Sequence, residues 1–238
     1  MATFVLVHGA FQGGWVWQKA AEKLRSQGHE VHTPTLSGCG YLSQGMRRED
    51  DLNTSVDGLL RYLEFEDLRE VILVAHSFSG MICGAVMMQV PDRIQQAVFV
   101  DAVIPEVQRS FTEIAGEGFQ QILEKHRLEE WKVRPWPLQV FGVAGSSADW
   151  FENRLRPFPY AAFHTPFPVT FNPATIPVSY IGCRETASPF IRQMVGKAKG
   201  YNWPVVEMDS GHCPMVTHPE DLVRTIIAAV TSGNGRQS

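Results

Sequence analysis

Short apolar strings alternate along this chain with longer stretches whose apolar residues recur every three or four positions, and this alternation predicts the elements. Thr3 to Val7 is a continuous apolar run of the kind found in strands buried on both faces, and the turn-rich His8-Gly-Ala-Phe-Gln-Gly-Gly14 ends it. From Trp15 to Gln27, Trp17, Ala20, Ala21 and Leu24 share one helical face while Lys19, Glu22, Lys23 and Arg25 take the other; Gly28 stands where a helix-ending glycine belongs. Glu30 to Thr33 predicts a second strand. Asn53 or Thr54 is placed to cap a helix through Val56, Leu59, Leu60 and Leu63, and Val71 to Val74 follows as a strand. The helix opened by Gly80 is apolar nearly all round, which implies burial, and Ala97 to Val100 is a further strand closed by Asp101.

Strands alternating with helices predict an α/β fold, a mostly parallel sheet flanked by helices. The pattern breaks over residues 106–175. One helix is predicted there, Phe111 to Trp131, followed by a stretch rich in Pro and rings: Trp136, Phe141, Trp150, Phe151, Phe158, Tyr160, Phe163, Phe167 and Phe171. The expected organisation is a core of residues 1–105 and 176–238 with 106–175 inserted as a cap over one end of the sheet. Its rings are expected to divide between pocket lining and packing, with packing taking most. Val178 to Gly182 and Val205 to Met208 resume the strands around a helix from Pro189 to Lys199. A last helix, Pro219 to Val230, precedes a polar tail, Thr231 to Ser238, expected to fray.

Composition narrows the classes. With 238 residues, 44% hydrophobic and 19% charged, the chain is long enough for one well-packed domain and barely long enough for two. A net charge of −4 with Lys and Arg dispersed argues against nucleic acid as a partner. No basic region precedes an apolar stretch at the start, and no run is long enough to span a bilayer, so no membrane partner and a cytoplasmic location are expected. Cys39, Cys83, Cys183 and Cys213 lie far apart without a Cys-x-x-Cys pair and are read as free thiols, holding no disulfide framework and no metal. The partner expected is a small molecule, and a homodimer is left open.

In an open parallel sheet, reactive groups collect at the carboxyl ends of the strands. Four predicted ends carry informative residues: His8-Gly9-Ala10, Ser77, Asp101 and Gly211-His212. A serine hydroxyl becomes a useful nucleophile when a base takes its proton, and an imidazole does this best when a carboxylate fixes its tautomer. A nucleophile on a sharp strand-to-helix elbow needs small residues two positions either side, the Gly-x-Ser-x-Gly pattern. Here Ala75-His-Ser-Phe-Ser79 precedes Gly80, so both glycines are replaced but by other small residues. A lone serine after a strand is usually structural; the strand before it, the helix after it and His212 downstream favour catalysis. Backbone N–H groups of Ala10 and Phe78 are the candidates for an oxyanion hole. His8, beside Gly9, is read as ordering its loop, and His164, His218 and Cys213 as ordinary.

Three stretches carry a resemblance: Val7-His-Gly-Ala-Phe-Gln-Gly-Gly-Trp-Val-Trp17, Val71-Ile-Leu-Val-Ala-His-Ser-Phe-Ser-Gly-Met81 and Gly211-His-Cys-Pro-Met-Val-Thr-His-Pro219. Together they resemble the small α/β-hydrolases that include plant methyl salicylate esterases, polyneuridine aldehyde esterase, hydroxynitrile lyases and many bacterial esterases. The resemblance covers nearly the whole chain and is weakest over 106–175. It implies Ser77 as nucleophile, His212 as base, Ala10 and Phe78 as oxyanion donors, and hydrolysis of a small apolar or aryl ester through an acyl-enzyme with no cofactor.

One departure matters. Plant members carry the acid just after a Tyr-Ile-x-Cys strand, and Tyr180-Ile-Gly-Cys-Arg-Glu-Thr-Ala187 puts Thr186 there, which cannot hold the charge. Asp101 and Glu185 are the two replacements. Asp101 is preferred, because a short side chain at a strand end is held more rigidly than a Glu on a loop and because similar bacterial esterases often carry Asp there. Asp209 is read as capping its turn. Within the family a lyase is the alternative, but it would lead one to expect a Lys after the catalytic His and a Thr in the first loop, where this chain has Cys213 and Gly9. A non-catalytic ligand binder is the third reading, and a carboxylate within hydrogen-bond reach of His212 argues against it.

Overall fold

The computed structural model describes residues 1–234. Its main sheet is built from β1 (Thr3–Val7), β2 (Glu30–His32), β3 (Val71–His76), β4 (Ile94–Val100), β8 (Val178–Cys183) and β9 (Val205–Met208), in the order β2-β1-β3-β4-β8-β9 and parallel throughout. β3 and β8 are buried at every residue, as parallel strands covered on both faces must be. The order reverses between β1 and β3, so the crevice beyond their carboxyl ends is where such sheets receive ligands. Register levels these exits: Val7 pairs with Ala75, His76 with Val100, and Val100 with Ile181.

Helices α1 (Gln18–Ser26), α2 (Leu52–Phe65), α3 (Ser79–Gln89), α9 (Pro189–Gly200) and α11 (Pro219–Asn234) flank the sheet, α1 packing on α11, α2 on α3, and α9 on β8. α3 buries Ser79 through Met87 without interruption, matching its apolar surround. α2 begins earlier than its pattern implied. Asp51, not Asn53 or Thr54, is the N-cap: its Oδ1 accepts from the Thr54 N–H at 2.9 Å, and Thr54 closes the box from the third position. A short helix missed by the sequence, α10 (Pro214–Thr217), leads into α11, which runs beyond the expected end at Val230. Residues 235–238 of the expected tail lie outside the described residues.

Between β4 and β8 the chain forms α4 (Phe111–Ala115), α5 (Glu117–Lys125), α6 (Leu138–Phe141), α7 (Ala148–Glu152) and α8 (Tyr160–His164), with a small antiparallel sheet of β5 (Arg127–Glu129), β6 (Lys132–Val133) and β7 (Phe158–Pro159). The single helix predicted from Phe111 to Trp131 is therefore two helices and a hairpin. Gly116, at φ 83°, ends α4 and starts α5, and this left-handed turn breaks the axis although the apolar spacing continues across it. Among the described residues no helix is long and apolar enough to cross a membrane.

The Asp51 cap makes a direct prediction. Asp51→Ala should lower unfolding stability by about 1 kcal/mol in urea, and Asn53→Ala by less than about 0.5 kcal/mol. Equal losses would return the cap to position 53.

Candidate active site

Three strand exits converge. Ser77 leaves β3 with φ 57°, a left-handed conformation that turns its Oγ out of the sheet before α3 begins. The elbow is held from both sides, because Ser77 N–H donates to the Val100 carbonyl at 3.4 Å and its own carbonyl accepts from Val103 N–H at 3.0 Å. Ser79 Oγ donates to the β1 carbonyl of Val7 at 2.9 Å, so the serine standing where the motif has glycine stitches β1 to β3. Gly80 has no alternative: a Cβ there would stand 2.0 Å from the Val103 carbonyl oxygen.

Asp101, also left-handed at φ 45°, ends β4. Its N–H donates to Ile181 at 2.7 Å, and its Oδ1 accepts from Cys183 N–H at 3.0 Å, so β8 fixes it twice. Its Oδ2 accepts from His212 Nδ1–H at 2.7 Å. The far nitrogen of His212, Nε2, accepts from Ser77 Oγ at 2.9 Å. Of the two carboxylates left open by the sequence, Asp101 is the one beside His212; Glu185 is exposed on the loop after β8. Asp209 pairs with Arg184 at 2.5 Å on the surface, and among the described residues it accepts no turn-capping bond from a backbone N–H.

Thr186 stands in the departure position and has a structural task that its sequence does not announce. Buried at 1% exposure, it donates its hydroxyl to the same Asp101 Oδ2 at 2.6 Å. His76 is a second residue missed by the sequence. Its Nε2–H donates to the backbone carbonyl of His212 at 2.7 Å, which holds the loop bearing His212 against the end of β3. A buried histidine closing an apolar strand was the available signal. Gln12 ties the first loop to the same place, its Oε1 accepting from Gly9 N–H at 3.3 Å and its Nε2 donating to Cys213 Sγ at 3.5 Å. The other support comes from the segment between β4 and β8: Cys213 N–H donates to the Phe141 carbonyl at 3.0 Å, and a Cβ on Gly211 would meet Gly142 Cα at 2.8 Å.

Ser77, His212 and Ala10 line a cavity of about 360 Å³ whose walls include Phe111, Phe119, Trp136 and Phe190 and, among the described residues, no Asp, Glu, Lys or Arg. Of the nine rings singled out between 136 and 171, only Trp136 and Phe141 reach it; Phe151, Phe158, Phe163 and Phe167 are buried in packing. A larger depression of about 620 Å³, lined by Trp15, Tyr41 and Tyr62, contains none of the converging polar residues.

Two buried imidazoles beside the site, those of His8 and His76, are pushed toward the neutral form. His8 Nδ1–H donates to the Gly9 carbonyl at 2.8 Å and its Nε2 accepts from Leu36 N–H at 3.1 Å, which orders the first loop as expected; burial pushes its pKa down to about 4. Burial, and then the neighbouring His212, hold His76 well below the ordinary histidine range. Cys213 is buried, which raises its thiol well above the usual value and leaves it unreactive.

These shifts set a pH dependence of stability. Between pH 6.5 and about 4 the unfolded chain binds a proton at His8 that the folded chain refuses, and His76 shifts the same way, so stability is full above 6.5 and declines as the pH falls through that window. For His8 alone the loss approaches roughly 3 kcal/mol. Urea midpoints at pH 7.5, 5.5 and 4.5 should fall in that order, and an unchanged midpoint would contradict the neutral buried pair.

Comparison with known proteins agrees with this architecture. The model of the alpha/beta hydrolase family matches residues 4–225. The chain is 31% identical over 246 residues to a carbendazim hydrolyzing esterase of Nocardioides sp. (strain SG-4G), covering 96% of this chain and 99% of that protein. It is 37% identical over 113 residues to polyneuridine aldehyde esterase of Rauvolfia serpentina, covering 46% of this chain and 42% of that one. Among solved structures, an extracellular alpha/beta-hydrolase from a Paenibacillus species superposes with a TM-score of 0.84 at 23% identity, over 96% of this chain and 99% of the other. With the parallel sheet, the elbow and a family match spanning most of its length, this chain belongs to the alpha/beta hydrolase family.

Proposed function

We propose that this protein is a serine carboxylic-ester hydrolase in which Ser77, His212 and Asp101 form the catalytic triad. The observation that carries the reading is the unbroken chain of hydrogen bonds from Asp101 Oδ2 through His212 to Ser77 Oγ on the wall of an apolar cavity. Its esterase relatives support the reaction class.

In the proposed reaction His212 Nε2 takes the Ser77 proton as Oγ attacks the ester carbonyl carbon. Asp101 holds Nδ1–H, so the free lone pair faces the nucleophile and the resulting imidazolium has a counter-charge. His76, 4.7 Å away ring to ring, bonds no carboxylate among the described residues and is held by burial well below the ordinary histidine range, so the proton rests on His212. The negative charge of the tetrahedral intermediate falls on the former carbonyl oxygen. The N–H groups of Ala10, on the cavity wall, and Phe78, at the start of α3 where helical N–H groups lack partners a turn back, supply the oxyanion hole. Collapse expels the alcohol with the proton from His212, and water, activated by the same base, releases the acid from Ser77. Residues 106–175 act as the cap, on a core of 1–105 and 176–238.

Substrate choice follows from the walls. A charged acyl or alkoxy group would lose its hydration among rings with no opposite charge to receive it, which selects a neutral, apolar or aryl ester. The contact of Asp101 with His212 counts against a non-catalytic binder.

Ser77→Ala should abolish turnover of p-nitrophenyl and methyl aryl esters. Asp101→Asn should lower kcat by roughly 10³ to 10⁴, with Glu185→Gln within about twofold of wild type. The reverse pattern would move the acid to Glu185. Thr186→Val should cost roughly tenfold in kcat through the lost bond to the Asp101 carboxylate, and Thr186→Ser should keep most of the wild-type rate; equal losses in both would make Thr186 a packing residue only.

A further inference from the structure

Besides the Trp136 indole N–H, which can only donate, four polar side chains line the cavity: Ser77, His212, Ser188 and His126. Three are committed within the protein. Ser77 and His212 bond each other, and Ser188 Oγ accepts from Ile191 N–H as the N-cap of α9. His126 differs. Its Nδ1–H donates to the Ile122 carbonyl at 2.9 Å in the last turn of α5, and in the neutral ring this bond leaves the lone pair on Nε2. Among the described residues Nε2 has no protein partner.

Position gives that lone pair a meaning. The His126 ring stands edge-on to Trp136, with centroids 5.0 Å apart at 83°. Trp136 in turn meets Phe11 at 4.9 Å, and Phe11 adjoins Ala10 in the first loop. Two ring contacts therefore lead from the proposed oxyanion donor to His126. Ile122, also on the wall and 49% exposed, marks this end as the mouth, whereas Phe111, nearer the nucleophile through its 5.5 Å contact with Phe78, is 5% exposed. The volume of about 360 Å³ and the run of rings between Ser77 and His126 suit a bicyclic aryl group.

We infer that His126 is a specificity-determining residue whose Nε2 accepts a hydrogen bond from the substrate, so that the favoured substrates are neutral aryl esters carrying a donor, a hydroxyl or ring N–H, at the end remote from the ester carbonyl. This rests on the ester-hydrolase reading and narrows it. A hydroxyl at that end gives its proton to Nε2. An ether oxygen there sets two lone pairs against each other and must keep water between them. Because the mouth is partly open the preference is moderate, on the order of tenfold, well below that of a sealed polar pocket.

The test separates binding from turnover. 6-Hydroxy-2-acetonaphthone and 6-methoxy-2-acetonaphthone are methyl ketones shaped like methyl naphthoates but have no alkoxy group to lose, so their Kd values report the subsite alone. Wild type should bind the hydroxy ketone roughly tenfold more tightly than the methoxy ketone. His126→Phe, which keeps a ring against Trp136, should bind the two within about twofold, and His126→Gln, whose amide oxygen can accept, should recover part of the difference. Equal Kd values in wild type, a preference that survives in His126→Phe, or no binding of the hydroxy ketone overturns the inference. In parallel, turnover of methyl 6-hydroxy-2-naphthoate, abolished by Ser77→Ala, tests the hydrolase reading. A ketone preference without ester turnover would remove that reading and leave the His126 subsite standing.

Discussion

The carboxylate of Asp101 has 1% of its residue surface in water and takes three hydrogen bonds, from His212 Nδ1–H, Thr186 Oγ1–H and Cys183 N–H. A carboxylate so enclosed is tolerable only when its oxygens are supplied with donors. Those donors come from the last residue of β8, the turn after it and the loop after β9, so the arrangement exists only because β4, β8 and β9 lie side by side and leave the sheet at the same level. The strand order of the sheet and the geometry of the proposed triad are therefore one constraint.

Three of the strained backbone positions lie at the same edge. Phe11, Ser77 and Asp101, which follow β1, β3 and β4, are non-glycine residues with positive φ, at 68°, 57° and 45°. Each such conformation costs on the order of 1 kcal/mol or more and persists only where surrounding contacts dictate it. Here they do: the Ser77 carbonyl is held by Val103, Asp101 by Ile181 and Cys183, and the Phe11 carbonyl by Arg156 N–H at 3.0 Å. The strain aims one side chain from each exit, or the loop beside it, at a common point.

Residues 106–175 are coupled to that point by rings and by backbone. Phe78, next to the proposed nucleophile, contacts Phe111, Phe158 and Phe163, pairs each worth about 0.5–1.5 kcal/mol beyond their buried area. Phe141 and Gly142 meanwhile bear on the loop holding His212. The segment that lines much of the cavity thus also steadies the His212 loop, and most of the rings singled out in it are buried in packing.

Much of this was written locally in the chain. Alternating apolar strings and amphipathic helices determined the α/β architecture, since period and length suffice to separate a buried strand from a helix. The run from Val71 through Ser77 to Gly80, with His212 downstream, marked the nucleophile and base of the proposed triad, because an elbow demands small residues at fixed offsets. Gly116 escaped the periodicity, which a single left-handed residue interrupts without disturbing the apolar spacing. A strand-end position favours Asp101 over Glu185 in the chain itself, but the contact of Asp101 with His212, the support from Thr186, His76 and Gln12, and the division of rings between packing and cavity belong to the tertiary structure alone. Asp101 and His212 lie 111 residues apart, and Thr186 lies 85 from Asp101. A contact across that separation depends on which strands become neighbours and in what register, and no local pattern along the chain encodes that distance.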